Sequence, residues 1–302
     1  MLHPTLAQIQ QGDFKTLARS ISLIENESGN YAELLQNLGY SAKKIIGITG
    51  PPGAGKSTLT DALIEKFIAD GKKICVLCID PSSPFHHGAL LGDRIRMSAW
   101  YNHPDVFIRS FSARGSMGGL HPKILEITEL VKAAPFDKII IETVGVGQTE
   151  VEIAALADTT VVIFVPEAGD EIQTMKAGLM EIADIFVVNK ADRPGAAEFT
   201  KNLMQRIASS PLSETPVVQT IATEKKGVGE LMEKISSHEQ LTRSSEKKIA
   251  ALAEKAYLLI QQKRMKNIDR DMLMQQLQQA FALKKFNLYK FVEEFDDVNR
   301  ES

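Results

Sequence analysis

IIGITGPPGAGKSTLTDAL, Ile45 to Leu63, joins a short apolar run to a helix-forming run through a glycine-rich turn. Within it, Gly50 and Gly55 are spaced by four residues, and Lys56 and Ser57 follow at once. That spacing, between a strand and a helix, is the pattern of a phosphate-binding loop. Glycines let successive backbone N–H groups approach phosphate oxygens, and the helix N-terminus adds its dipole. Gly50, Pro51, Pro52, Gly53, Ala54 and Gly55 form the expected cradle. Lys56 would reach the terminal phosphates, Ser57 would offer its hydroxyl to Mg²⁺, and Thr58 would meet the α-phosphate. A glycine turn that binds nothing would need neither the full pattern nor both flanks.

Outward from this stretch the texture repeats. KKIIGIT (43–49), KICVLCID (73–80), KIIIET (138–143), TTVVIFVP (159–166), DIFVVNK (184–190) and TPVVQTIA (215–222) read as short buried strands. Each pair is separated by enough chain for a helix. Alternation of this kind predicts an α/β fold, a doubly wound and mostly parallel sheet covered on both faces. Ligands of such sheets bind beyond the carboxyl ends of the strands. Residues 1–42 read as an N-terminal helical extension, in which Asp13 is a candidate N-cap for Phe14, Leu17, Ile21 and Ile24 at helical spacing. Residues 43–240 make the nucleotide domain. Residues 241–302 return to helical patterning, with Ile249, Leu252, Ala253, Ala256 and Leu259 or Ile260 on one stripe.

The bulk composition narrows the possibilities. The 302 residues are 44% hydrophobic and carry a net charge of −3, which makes no global electrostatic case for nucleic acid or an anionic membrane. No apolar run approaches the ~20 residues of a membrane span. The first residues lack the basic and apolar regions of a signal peptide. Cys75 and Cys78 suit a reducing compartment, so a soluble cytoplasmic protein is expected. The pair lies three apart inside a strand, on opposite faces, which predicts packing rather than metal or redox chemistry.

Two further stretches end strands. DIFVVNKAD closes on Asn189-Lys190-Ala191-Asp192. Guanine offers two donors, N1–H and its exocyclic amine, and one carboxylate accepts both, so Asp192 fits guanine and mismatches adenine. Lys190 would lie over the base, and Asn189 would tie this loop to the phosphate loop. KIIIETVGVGQTE (138–150) delivers Glu142 at the tip of an apolar strand. A buried carboxylate is costly unless something meets it. Glu142, with Asp80 at the end of its own strand and Asp93 in the long segment 80–97, is a candidate for the metal or its water shell. Gly145 could turn its amide toward the γ-phosphate. Gln148 is a weaker candidate for orienting water, and Trp100-Tyr101 reads as packing. Lys56, Asp80 and Glu142 carry the expected catalytic chemistry.

Taken together, GPPGAGKST, DPSS…LLGDRIRM, ETVGVGQTE and GDEIQTMKAGLMEIADIFVVNKAD resemble the MeaB/ArgK family of GTPases, which includes the methylmalonic aciduria type A protein. The resemblance covers nearly the whole chain. It implies a GTP/GDP-binding chaperone of adenosylcobalamin-dependent acyl-CoA mutases, chiefly methylmalonyl-CoA mutase, and a homodimer formed through C-terminal helices. It also implies that Lys56, Ser57, Asp80, Asp93 and Glu142 are nucleotide and Mg²⁺ residues. Segments 80–97, 142–150 and 169–178 are then switches. Two departures stand out. Phe85-His86-His87 replaces smaller or polar residues, and Ile221 stands where the guanine loop usually has Ser, leaving the Ala222 amide to meet guanine O6. His86, His87 and His121 keep open a metal-insertion GTPase, and an acceptor-directed kinase is a further alternative. Slow hydrolysis is expected without a cis arginine, for which Arg94, Arg96, Arg109 and Arg114 are the candidates.

Overall fold

The computed structural model describes residues 4–80, 97–112, 120–143, 149–168, 177–210, 212–240, 245–265, 270–282 and 286–292. They divide into two compact units, Met1–Ser245 and Glu246–Ser302. Among the described residues the first unit is built on seven strands: β1 Ile45–Thr49, β2 Ile74–Asp80, β3 Val106–Ser112, β4 Lys138–Glu142, β5 Thr159–Phe164, β6 Ile185–Asn189 and β7 Val217–Thr220. Every pairing is parallel, in the order β3-β2-β4-β1-β5-β6-β7. The chain fills one side of β1 and then the other, which is the doubly wound arrangement expected from the alternating pattern.

β3 is the strand that the apolar pattern does not reveal. It lies at the sheet edge and pairs with β2 alone. Arg109 and Ser110 interrupt its apolar run, because an edge strand need not be buried along its whole length. The Arg109 guanidinium donates to Ser22 Oγ at 3.0 Å and pairs with Glu25 at 2.6 Å. It is therefore committed to a structural contact.

Helices cover both faces. The described helices of the unit are α1 Pro4–Gln10, α2 Phe14–Glu25, α3 Tyr31–Gln36, α4 Lys56–Ala69, α5 Ile124–Ala133, α6 Thr149–Leu156, α7 Ala177–Ile182, α8 Ala196–Ala208 and α9 Val228–Gln240. The period of two along β2 sorts its side chains. Cys75, Leu77 and Ile79 join the core beneath α1, α2 and α5, whereas Ile74, Val76 and Cys78 join the core beneath α4 and α9. The two thiols are buried on opposite faces, and burial pushes the Cys75 thiol well above its usual value. β1 is fully buried. A Cβ at Gly47 would stand 2.7 Å from Ile153 and 2.8 Å from Ala157, so the glycine lets α6 close directly over the strand.

The N-terminal helices are part of this core rather than appended to it. Leu6, Ile9, Leu17, Ile21 and Ile24 are buried with Phe107 and Phe136, and the Phe14 and Phe136 rings stack at 5.1 Å. α2 starts on Asp13, whose carboxylate accepts from Lys15 N at 3.0 Å, Thr16 N at 3.1 Å and Thr16 Oγ1 at 2.6 Å. These bonds, the Thr16 hydroxyl first, hold the Asp13 carboxyl below its usual value. A depressed native value stabilises the fold above the unfolded value and stops doing so as pH falls through the native one. Asp13→Ala should lower the thermal midpoint by on the order of 2 °C at pH 7. The deficit should shrink toward pH 3. A deficit independent of acid would assign the effect to something other than the carboxylate.

The second unit contains all but the first residue of α10 Ser245–Arg264, together with α11 Arg270–Ala282. Ile249, Leu252 and Ile260 are exposed on α10, and Met272, Met274 and Phe281 on α11. No helix among the described residues is long and apolar enough to cross a membrane.

Candidate functional site

The site gathers at the carboxyl ends of β1, β4 and β6. The loop between β1 and α4 turns on Gly50 and Gly55, at φ 143° and 90°. Side chains are excluded at both for a second reason. A Cβ on Gly50 would meet Ile163 O at 2.2 Å, and one on Gly55 would meet Asn189 Nδ2 at 2.4 Å. Gly55 directly precedes α4, so the helix N-terminus opens where the loop ends. Lys56 is buried, and its ammonium donates to Gly50 O at 2.8 Å and Pro51 O at 3.0 Å. These are neutral carbonyl partners, and phosphate oxygens are stronger acceptors for the same three donors.

Glu142 ends β4, 2% exposed, between β1 and β2 at the register Ile48↔Glu142 and Cys78↔Glu142. Two hydroxyls of α4 meet its carboxylate. Ser57 Oγ donates to Oε1 at 2.6 Å, and Thr60 Oγ1 lies 2.8 Å from Oε2. The cost of burying the charge is thus offset by charge-assisted hydrogen bonds. Next to it, the Thr143 and Thr49 hydroxyls bond at 2.9 Å. The donor set at Ser57 and Glu142 is hydroxyl and carboxylate oxygen, the hard ligands that suit Mg²⁺, an ion that otherwise keeps water and substrate phosphates around it. Among the described residues no group of three or more His, Cys, Asp or Glu side chains could hold a metal by itself. One hydroxyl and one carboxylate leave the remaining positions of such an ion to phosphates and water.

Asp80 is the last residue of β2, opposite Ser112 and two residues beyond the Cys78↔Glu142 pair, so its backbone reaches the same end of the sheet. Asp93, Gly145, His86, His87 and Gln148 lie outside the described residues, as do Arg94, Arg96 and Arg114. His121 is buried, with its ring 5.7 Å from Phe111 and Nδ1 accepting from Lys123 N at 3.2 Å.

The loop after β6 is tied to the phosphate loop by one amide. Asn189 Nδ2 donates to Ala54 O at 2.9 Å, while Oδ1 accepts from Thr220 Oγ1 at 3.0 Å and Ala222 N at 3.2 Å. The Ala222 amide, expected to be available for guanine O6, is thus directed at Asn189. Lys190 takes a left-handed backbone, φ 56°, and donates to Gly53 O at 2.8 Å, laying its stem across the loop. Asp192 is exposed beside it. Lys226, in the turn after β7, keeps its proton more tightly than an ordinary lysine, chiefly through its bond to Glu224 and, to a smaller degree, through the Asp192 charge. Arg193 pairs with Glu167 and holds that carboxyl below its usual value.

Two contacts here have no motif signature. Thr60 is three residues after Ser57 and four after Lys56, hence on the same helical face, and only that spacing hints at it. Trp100 Nε1 donates to Asp61 Oδ1 at 2.7 Å, and the indole packs edge-on to His103 at 5.8 Å between ring centres.

Comparison with known proteins agrees with this architecture. Residues 17–281 match the family model described as "Methylmalonyl Co-A mutase-associated GTPase MeaB". A putative GTPase of Pyrococcus abyssi is 46% identical over 253 residues, 81% of this chain and 78% of that protein. A protein of Cupriavidus metallidurans named fused isobutyryl-CoA mutase is 38% identical over 210 residues, 67% of this chain but 19% of that one. Among solved structures, one described as an LAO/AO transport system kinase superposes with a TM-score of 0.68 at 25% identity, covering 98% of this chain and 96% of its own.

Proposed function

The chain belongs to the MeaB family of GTPases, and on that premise we propose that it is a GTP-dependent chaperone of an adenosylcobalamin-dependent acyl-CoA mutase, controlling cofactor loading and protecting the mutase. The observation that supports this most is the Cupriavidus relative, in which a segment similar to this chain belongs to one polypeptide with a mutase. The chemistry of the site accords with it. Lys56 binds the terminal phosphates in the cradle Gly50–Ser57, and Asp192 accepts the guanine donors while Lys190 covers the base. Ser57, oriented by Glu142 behind it and joined by Asp80 and Asp93, would hold Mg²⁺, which neutralises phosphate charge when bound. The γ-phosphate then orders the segments 80–97, 142–150 and 169–178, and partner binding couples to that order. Among the described residues the arginine candidate Arg109 is bonded to α2, and turnover is slow until the partner arrives, since an arginine supplied to the site is worth ~10³–10⁵ in rate. The helices of 241–302 pair two copies, and the protein works in the cytoplasm.

GTP hydrolysis should be measured with and without the same organism's acyl-CoA mutase. A saturable stimulation of tenfold or more is expected, on the order of the lower range of coupling energies between sites. Hydrolysis indifferent to saturating mutase would sink the chaperone reading and leave the GTPase intact.

A further inference from the structure

Thr60 is a residue for which the phosphate-loop pattern has no use, yet it is fully buried at the heart of the site. Its hydroxyl lies 2.8 Å from Glu142 Oε2 and 3.0 Å from Lys56 O. A threonine hydroxyl has one proton to donate. The nearer and charged acceptor takes it. Ser57 and Thr60 stand three apart on α4, so their side chains are neighbours on one helical face. One carboxylate therefore receives one hydroxyl on each oxygen, and both come from the same rigid helix turn.

We propose that Thr60 is a positioning residue for Glu142: by holding Oε2 it keeps Oε1 on the Ser57 hydroxyl, and so keeps that hydroxyl's lone pairs turned toward the phosphate-bound cation. The physical need is clear from the geometry. Glutamate has three side-chain torsions, and a strand-end glutamate held by one oxygen could still rotate about the other bonds. Two anchors on a rigid helix remove that freedom. The second anchor also rationalises glutamate at this strand tip. The extra methylene lets one carboxylate reach both hydroxyls across the gap between β4 and α4. The inference rests on the proposed roles of Ser57 and Glu142 toward Mg²⁺.

The test uses the whole chain and a fluorescent GDP analogue, titrated first in EDTA and then with increasing Mg²⁺. Thr60→Val keeps the shape and deletes the hydroxyl. GDP affinity in EDTA should stay within about twofold of the native protein. The Mg²⁺ concentration that gives half of the tightening should rise about tenfold, the scale of one hydrogen bond to a charged acceptor. Thr60→Ser, which retains the hydroxyl, should behave as the native protein. Glu142→Gln should show a shift at least as large, and the Thr60→Val/Glu142→Gln pair should be no worse than Glu142→Gln alone, because Thr60 acts through that carboxylate. Should Thr60→Val fail to fold, Thr60→Ala carries the same expectation, with thermal melting confirming the folded state. A native Mg²⁺ midpoint in Thr60→Val or Thr60→Ala, alongside a shifted one in Glu142→Gln, overturns the role of Thr60 alone. A shifted midpoint in Thr60→Ser overturns it as well. A native midpoint in Glu142→Gln overturns the reading of Glu142 itself, and the inference with it.

Discussion

Lys56→Ala lowers GTP affinity by about 10²–10⁴, the loss of two charge-assisted hydrogen bonds at ~1.5–3 kcal/mol each, while the protein stays folded. The size follows from the place of the ammonium in the loop. It is buried in the loop and already desolvated, with Gly50 O and Pro51 O as its acceptors. Exchanging neutral carbonyls for phosphate oxygens strengthens each bond and adds a charge–charge attraction. Removing the side chain leaves two loop carbonyls without that donor, but the loop is also held from the other side by Asn189 on Ala54 O. Isothermal titration with GTP and a parallel melting curve separate the two effects. Affinity within threefold of the native protein would remove Lys56 from the phosphate site. Lys56→Arg should fail too, because a planar fork does not substitute for a compact ammonium in so enclosed a place.

Asp192→Asn reverses the preference of the site between guanine and xanthine nucleotides. The carboxylate presents only acceptors, matched to N1–H and the exocyclic amine of guanine. An amide presents one donor and one acceptor, matched to xanthine, whose exocyclic position is a carbonyl. A site built on such hydrogen bonds discriminates by ~10⁴ or more, so GTP affinity should fall by about 10²–10³ while XTP affinity rises. The fold should not respond. Asp192 is exposed, and the loop backbone is set by other bonds, Ala191 N to Thr220 O at 3.0 Å and Asn189 to three partners. Competition between GTP and XTP for a fluorescent nucleotide gives the answer directly. An unchanged GTP preference would mean that the base edge is read elsewhere.

Six of the seven described strands are visible as local apolar runs: five are central, with both faces buried and no polar residue needed to interrupt them, and β7, at the other edge, shows through Val217-Val218 although Gln219 is exposed. β3 escapes because Arg109 and Ser110 interrupt its apolar run, with Arg109 turned to Ser22 and Glu25 of α2. The phosphate loop and the Asn-Lys-Ala-Asp tetrapeptide are equally local, and their glycines and strand-end position reveal them. Contacts that cross the chain are a different matter. Thr60 and Glu142 are 82 residues apart, and Asn189 and Ala54 are 135 apart. Spacing carries no trace of such pairs. Glu142 could be singled out as a carboxylate in need of a partner, but that its partners would be two hydroxyls of α4 depends on how β4 and α4 are laid side by side. The same holds for the Ala222 amide. Its position in the base loop is readable, but its direction toward Asn189 Oδ1 is set by the packing of three loops.

The bond between Trp100 and Asp61 makes the molecule its own optical instrument. The chain contains one tryptophan, so light absorbed at the red edge of the ultraviolet band is absorbed at a single known place. The indole there is bonded to Asp61, one residue past Thr60 on the helix that begins at the phosphate loop, and Trp100 itself stands just after the segment that follows β2. Indole emission depends on its hydrogen bonding and on the polarity around it. Rearrangement of that corner when nucleotide or a partner arrives is thereby written into the colour and lifetime of the native protein's own fluorescence, in real time and with no label attached.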